Sequence, residues 1–257
     1  METLKDKTAV VTGASRGIGR TIAEALAKEG MKLVISARGK DALSETAREL
    51  SQQYGVKVTP VPTDVSRQED LENLAACALE ELGKIDVLVN SAGVSSQSPF
   101  PNQPPADIPK LMATNYFGPV MLTRLLINHF IDNKDGAIVN IVSGSTLVDP
   151  PPRGFVVYSS LKRALRAFGK GLFWELRDYG IKVTSILPGV TDTALTSGLK
   201  EISVDKSRLI STKAIEDAVR FALTVPANVC PLEISVINQR TPWTKPVIPY
   251  RQDHPEK

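Results

Sequence analysis

Along the chain, short apolar runs rich in Val, Ile and Thr alternate with longer stretches whose apolar residues recur every three or four positions. TAVVTG (8–13), KLVIS (32–36), VKVTPV (56–61), KIDVLVN (84–90), GAIVNIVS (136–143), IKVTSILPG (181–189) and PLEISVI (231–237) carry the first pattern and predict strands. Ile22 and Leu26, or Leu43, Ala47 and Leu50, carry the helical spacing between them. Strands apolar on both faces and separated by helices predict parallel strands covered on both sides. Right-handed crossovers then give an α/β, doubly wound, mostly parallel sheet of about seven strands with helices on both faces. No repeat or interdomain linker interrupts the pattern, so residues 1–257 are expected to form a single domain.

Three stretches break the alternation. Residues 95–109 (SSQSPFPNQPPADIP) are rich in Ser and Pro and predict a loop. The stretch DPPPRG (149–154) cannot be helix or inner strand, because consecutive prolines fix φ and lack donors. Residues 240–257 are polar and proline-bearing and read as an extended C-terminal tail. The first two breaks follow the carboxyl ends of the fourth and fifth strands, where open α/β sheets bind ligands.

Composition removes several function classes. No apolar run approaches the roughly 18 residues needed to span a bilayer. The N-terminus, METLKDKTAVV, has neither the apolar stretch nor the cleavage site of a secretory signal, so no membrane association and a cytoplasmic location are expected. The net charge is +3 and the basic residues are scattered among acidic ones, which argues against nucleic acid as a partner. Cys77 and Cys230 lie far apart, outside any CxxC or Cys/His cluster, so neither a disulfide framework nor a metal site is expected. His129 and His254 are the only histidines, too few for a His-based hydrolase or metal enzyme, and both read as structurally incidental.

Two motifs carry chemistry. TGASRGIG (12–19) follows the first strand and opens a helix. Gly13 permits a turn closed to other residues, and Gly17 and Gly19 let a pyrophosphate approach the backbone at a helix N-terminus. Arg16 lies inside this loop and Arg38 at the end of the second strand, where an NAD-preferring site usually places a carboxylate. Guanidinium groups suit recognition of a phosphate instead. Tyr158 and Lys162 stand four apart at the start of a helical pattern and share one face. A nearby ammonium favours the phenolate and lowers the phenol from its ordinary value near 10, so that Tyr158 can act as general acid toward a carbonyl oxygen.

TGASRGIG, NSAG (90–93), YSSLK (158–162) and PGVTDT (188–193), in this order from Lys7 to about Ile237, resemble the short-chain dehydrogenase/reductase family. The resemblance implies a Rossmann-like fold, NADPH (NADP+) as cofactor, and reduction of a small-molecule ketone or aldehyde to an alcohol. It implies that Arg16 and Arg38 select NADPH and that Asp64 reads the adenine amino group with Val65 beside the ring. Gly13, Ser15, Gly17, Ile18, Gly19, Asn90, Ala92, Gly93, Pro188 and Gly189 are implied to follow the dinucleotide, Asn90 also tying the fourth strand to its neighbours. Thr191 and Thr193 fall near the nicotinamide carboxamide, and Lys162 on the nicotinamide ribose. Asn115 matches the asparagine that holds a water linking Lys162 to solvent. The catalytic serine is Ser143 by strand alignment and Ser145 by counting back from the tyrosine; Ser143 is preferred. Segments 144–157 and 190–211 are expected to line or cover the pocket. The family also implies a homodimer or homotetramer through the helices of Asn115 and Tyr158. A dinucleotide-binding regulator on the same fold is the alternative, and the intact Tyr–Lys pair argues against it.

Overall fold

A computed structural model describes residues 3–197 and 204–243. Seven strands are present: β1 (Thr8–Thr12), β2 (Lys32–Ala37), β3 (Val58–Pro62), β4 (Val87–Asn90), β5 (Gly136–Ile141), β6 (Ile181–Pro188) and β7 (Glu233–Val236). They form one sheet in the order β3-β2-β1-β4-β5-β6-β7, and every pairing in it is parallel. Val10 of β1, for example, faces Val34 of β2 on one side and Leu88 of β4 on the other.

Alternation along each strand sorts its side chains between two cores. Val11, Leu33, Ile35, Val87 and Val89 pack with Ile22 and Leu26 of α1 (Gly17–Lys28), Leu43 and Leu50 of α2 (Lys40–Tyr54), and Ile215 and Val219 of α8 (Thr212–Thr224). Val10, Val34, Leu88, Ile138 and Val183 point the other way. They meet Leu71 and Leu74 of α3 (Gln68–Leu82), Leu122, Leu126 and Phe130 of α5 (Gly118–Asn133), and Leu176 of α6 (Val156–Leu176). The run MLTRLLINHF (121–130) therefore turns one face to the sheet. Lys182 is buried on β6 and donates to the carbonyls of Val225 and Pro226 at 2.9 and 2.7 Å, where α8 ends and its last carbonyls attract a cation.

Two expectations need correction. The Ser/Pro-rich stretch is not loop throughout: a short 3-10 turn occupies Phe100–Asn102, and α4 (Asp107–Met112) begins inside it. Pro109 stands at the third position of that helix, where its missing N–H has no intrahelical partner to lose. His129 is not incidental either. Its Nε2 accepts the Ile85 N–H at 2.9 Å, satisfying the backbone where β4 is entered, while the ring stacks edge-on to Phe130. Of the polar tail, residues 244–257 lie outside the described residues, as do 198–203 within the segment expected to cover the pocket, and with the tail His254.

Candidate active site

A cleft of about 1060 Å³ opens at the carboxyl ends of the strands, and successive strand ends build its walls. Beyond β1 the glycine loop is pinned to the turn after β4, because Thr12 Oγ1 accepts the N–H groups of Ser91 and Ala92 at 3.1 Å each. Gly13 sits at φ +70°, and a Cβ there would stand 2.8 Å from the Ala92 Cα. Gly17 sits at φ +59°, and a Cβ there would stand 3.6 Å from the Thr193 methyl, so the glycine loop and the loop after β6 border the same space. Ser15 and Ile18 line the cleft with them, as do Ala92 and Gly93 opposite. No side chain caps the first turn of α1, which leaves its amides to a ligand.

Two expected positions stand outside the lining. Gly19 lies beneath the loop, where a Cβ would collide with the Gly13 carbonyl oxygen, so close packing there excludes a side chain. Asn90 is buried behind the wall, and its Nδ2 donates to Thr123 Oγ1 at 3.2 Å and Asn140 Oδ1 at 3.0 Å. Its side chain ties β4 to β5 and α5.

Arg16 and Arg38 both reach the cleft from exposed positions, and neither has a carboxylate within ion-pair distance among the described residues. Asp64 and Val65 form the adjoining wall after β3. Partial burial pushes the Asp64 carboxyl up, but the Ser66 hydroxyl and amide at 2.6 and 3.0 Å, with Arg38 and Arg67 nearby, outweigh it and hold the group below its ordinary value. Asp64 is thus an ionised acceptor at neutral pH.

At the other end, β5 delivers Ser143. It caps the 3-10 turn Gly144–Leu147, with Oγ accepting the Ser145 N–H at 3.2 Å and donating to Ser145 Oγ at 3.0 Å. Ser143 lines the cleft and Ser145 does not. Tyr158 stands in the first turn of α6, edge-on to Phe155. Lys162, one turn on, is buried with Nζ 2.9 Å from the Ile141 carbonyl and 6.0 Å from the Tyr158 ring centre. Asn115, fully buried, donates Nδ2 to the carbonyls of Val94 (2.8 Å) and Leu111 (3.1 Å) and accepts the Val94 N–H at 3.3 Å. It lies in a π-helical turn, Ala113–Phe117, that joins α4 to α5, so the helical irregularity is centred on Asn115. A Cβ on Gly93 would sit 3.2 Å from Asn115 Oδ1 and 3.7 Å from Lys162 Nζ, so glycine lets these elements converge.

The electrostatics differ from the simple expectation for a Tyr–Lys pair. Burial raises the Tyr158 phenol above its ordinary value, the Ser143 hydroxyl opposing it, and Lys162 does not reverse that direction. Burial likewise lowers the Lys162 ammonium, to about 8. At this spacing the ammonium points to the Ile141 carbonyl instead of the phenol oxygen. At neutral pH the tyrosine is a protonated donor and the lysine is charged.

Pro188, Gly189, Thr191 and Thr193 complete the floor after β6, Thr191 buried with its hydroxyl on the Gly189 carbonyl at 3.1 Å. The segment 144–157 contributes no lining residue, whereas Ala194, Leu195 and Thr196 of the other expected segment do; the first two open the short α7 (Ala194–Ser197). Sequence reasoning also missed Val94, Ser95, Gln97 and Thr114, which line the cleft beside the tyrosine's end of the sheet. Their signal was position alone, directly after a strand's carboxyl end or beside Asn115.

A family model described as short chain dehydrogenase matches residues 7–202. The chain belongs to the short-chain dehydrogenase family. An uncharacterised oxidoreductase of Staphylococcus aureus strain MRSA252 is 36% identical over 236 residues, covering 92% of this chain and 99% of the relative. Among solved structures of this short-chain dehydrogenase type, an alcohol dehydrogenase from the archaeon Thermococcus sibiricus, complexed with 5-hydroxy-NADP, superposes with a TM-score of 0.84 at 29% identity. It covers 92% of this chain and 99% of that one. A 3-ketoacyl-(acyl-carrier-protein) reductase from Brucella melitensis, complexed with NADH, gives 0.84 at 26% identity, covering 93% and 99%. This short-chain dehydrogenase is therefore an oxidoreductase whose cleft lies at the carboxyl ends of a seven-stranded parallel sheet. Among the described residues no helix is long and apolar enough to cross a membrane, and no cluster of His, Cys, Asp and Glu could hold a metal ion.

Proposed function

We propose that this oxidoreductase uses NADPH to reduce a small ketone or aldehyde to an alcohol. The observation that carries the reading is the polarity of one continuous cleft, with two guanidinium groups free of ion pairs among the described residues at one end and Ser143, Tyr158 and Lys162 at the other. The residues fit a dinucleotide: Gly17 adopts a left-handed backbone that leaves room in front of Thr193, and the uncapped N-terminus of α1 offers donors for a pyrophosphate. Arg16 and Arg38 would hold the 2′-phosphate, with Asp64 and Val65 at the adenine and Thr191, Thr193 and Lys162 at the nicotinamide end. The bound cofactor supplies the hydride. The similarity to an NADP-analogue complex favours NADPH, and that to an NADH complex makes the arginines the deciding feature.

Tyr158 donates its proton to the substrate oxygen; burial raises its affinity for that proton, so the group is in the donor form at neutral pH. Ser143 Oγ, held by the Ser145 N–H, turns the hydrogen it gives Ser145 Oγ in the free protein to the same oxygen and stabilises the charge that develops there. The Lys162 charge, buried behind the phenol, stabilises the phenolate that remains when the proton has left. Self-association is part of the proposal: α6 leaves Trp174 58% exposed with the Arg177 guanidinium 4.7 Å over its ring, an aromatic surface suited to a second copy.

The test is loss of NADPH absorbance over a panel of ketones, aldehydes and acyl thioesters, beside Tyr158→Phe. Turnover should fall about a hundredfold or more in the variant, the scale of general acid catalysis. Undiminished turnover in Tyr158→Phe, or a preference for NADH, would refute the assignment.

A further inference from the structure

Past β7 the chain turns back to the floor of the cleft, and Asn238 fastens it there. Its Oδ1 accepts the Val190 N–H at 2.8 Å, and its Nδ2 donates to the Val190 carbonyl at 2.9 Å and the Arg208 carbonyl at 2.8 Å. A primary amide has two donor hydrogens and an acceptor oxygen, and the two carbonyls and one N–H are satisfied by this orientation alone. Toward Val190 the side chain makes the pair of bonds that an adjacent strand residue would make. Gly189 is what admits it, since a Cβ there would stand 2.5 Å from Asn238 Oδ1.

The bonds around Asn238 form a short chain of supports. The Gly189 N–H is held by the Val236 carbonyl at 2.8 Å. Ile210 donates to the Val190 carbonyl at 3.0 Å and accepts from Asp192 at 2.8 Å. Residues 204–210 are gripped in turn by the end of the described chain. Asp205 donates to the Pro242 carbonyl at 2.8 Å, Arg208 Nη1 to the Thr241 carbonyl at 3.1 Å, and Val204 pairs with Trp243. A strap of residues 237–243 thus closes over segment 204–210, with Asn238 inserted between that segment and the loop carrying Gly189, Thr191 and Thr193.

We infer that Asn238 is a positioning residue for the cofactor's reacting end, fixing the loop Pro188–Thr193 to the C-terminal strap. The inference rests on the proposed cofactor reading only for what the loop holds; that the loop is fixed by Asn238 is a property of the free protein. It also gives Gly189 a second reason for lacking a side chain.

Asn238→Asp and Asn238→Ala are compared with the unaltered protein by amide hydrogen exchange without dinucleotide and by calorimetric titration with NADPH. The amides of Val190, Asp192 and Ile210 should exchange at least about tenfold faster in both variants, those of β1 and β2 should keep their rates, and the NADPH Kd should rise about tenfold. Asn238→Asp is decisive, because it keeps the shape and the acceptor but turns an oxygen toward two carbonyls. A side chain that merely filled space would tolerate it. Unchanged exchange at Val190 and Asp192 in Asn238→Asp overturns the inference. So does faster exchange across the whole sheet, or a loosened loop with unaltered NADPH affinity. Failure of the unaltered protein to bind NADPH would instead sink the cofactor reading, and the exchange comparison would then decide the role of Asn238 by itself.

Discussion

Lys162 carries its ammonium into the body of the fold, 4% exposed, with the Ile141 carbonyl as hydrogen-bond partner at 2.9 Å. Burial lowers its affinity for a proton from the ordinary 10.5 to about 8. At about 1.4 kcal/mol for each tenfold change, holding the charge inside costs about 3 kcal/mol of stability at neutral pH. Lys162→Met keeps the length of the side chain and removes the charge. It forfeits one hydrogen bond, worth about 1 kcal/mol. The variant should therefore be about 2 kcal/mol more stable, a rise of about 4–8 °C in Tm for a chain of this size, while losing turnover. The sign with pH is fixed: the penalty is complete below about 8 and is relieved as pH rises toward 10.5, because the folded lysine gives up its proton first. Urea unfolding of both proteins near pH 7 and again near pH 10 measures it, the variant leading at the first and the gap closing at the second. A variant no more stable than the parent near neutrality, or a gap that does not narrow, would refute the reasoning.

Three further outcomes are expected. Gly13→Ala combines a left-handed backbone with a contact 2.8 Å from the Ala92 Cα; it should lose about 2–3 kcal/mol in denaturant unfolding and release the glycine loop from the turn after β4. Burial first, and the Lys84 ammonium second, hold His129 below its ordinary 6.5, so the stability contributed by the neutral ring is intact above that value and declines as pH falls below it. His129→Gln should flatten that decline, seen as urea midpoints that agree at about pH 7.5 and about pH 5.5 where the parent's differ. Arg38→Ala should raise the KM for NADPH about tenfold and leave that for NADH little changed in steady-state kinetics.

The sheet was readable because its strands are buried on both faces, so that Val10 and Val11 answer to different cores and the apolar runs have almost no gaps. The two ends of the cleft were readable because they depend on local spacing: a glycine loop between strand and helix, and a tyrosine and lysine one turn apart. The turn around Asn115 was not, since a π-helical step is set by the Val94 backbone it must meet, and Val94 lies 21 residues away in sequence. Neither was the direction of the Tyr158 shift, which depends on the depth of the phenol and on where the Lys162 ammonium points. For Ser143 and Ser145, strand alignment and counting from the tyrosine gave different answers, and only the fold shows that Ser143 faces the cleft. Asn238 carried no signal, because its three bonds go to Val190 and Arg208, both distant in the chain.

The pairing of α1 with α8 bears on how the protein is made. Ile22 and Leu26 belong to the first helix of the described residues, and Ile215, Val219 and Leu223, which share their core, belong to α8, which is synthesised far later. Until then one flank of the first helix has no lasting cover, and the nascent chain presents it to whatever it meets. The cleft floor waits longer still, for the strap at 237–243. A growing chain can therefore assemble the glycine loop well before it can finish the place where hydride would be transferred, and in the interval between the two its apolar surface is exposed.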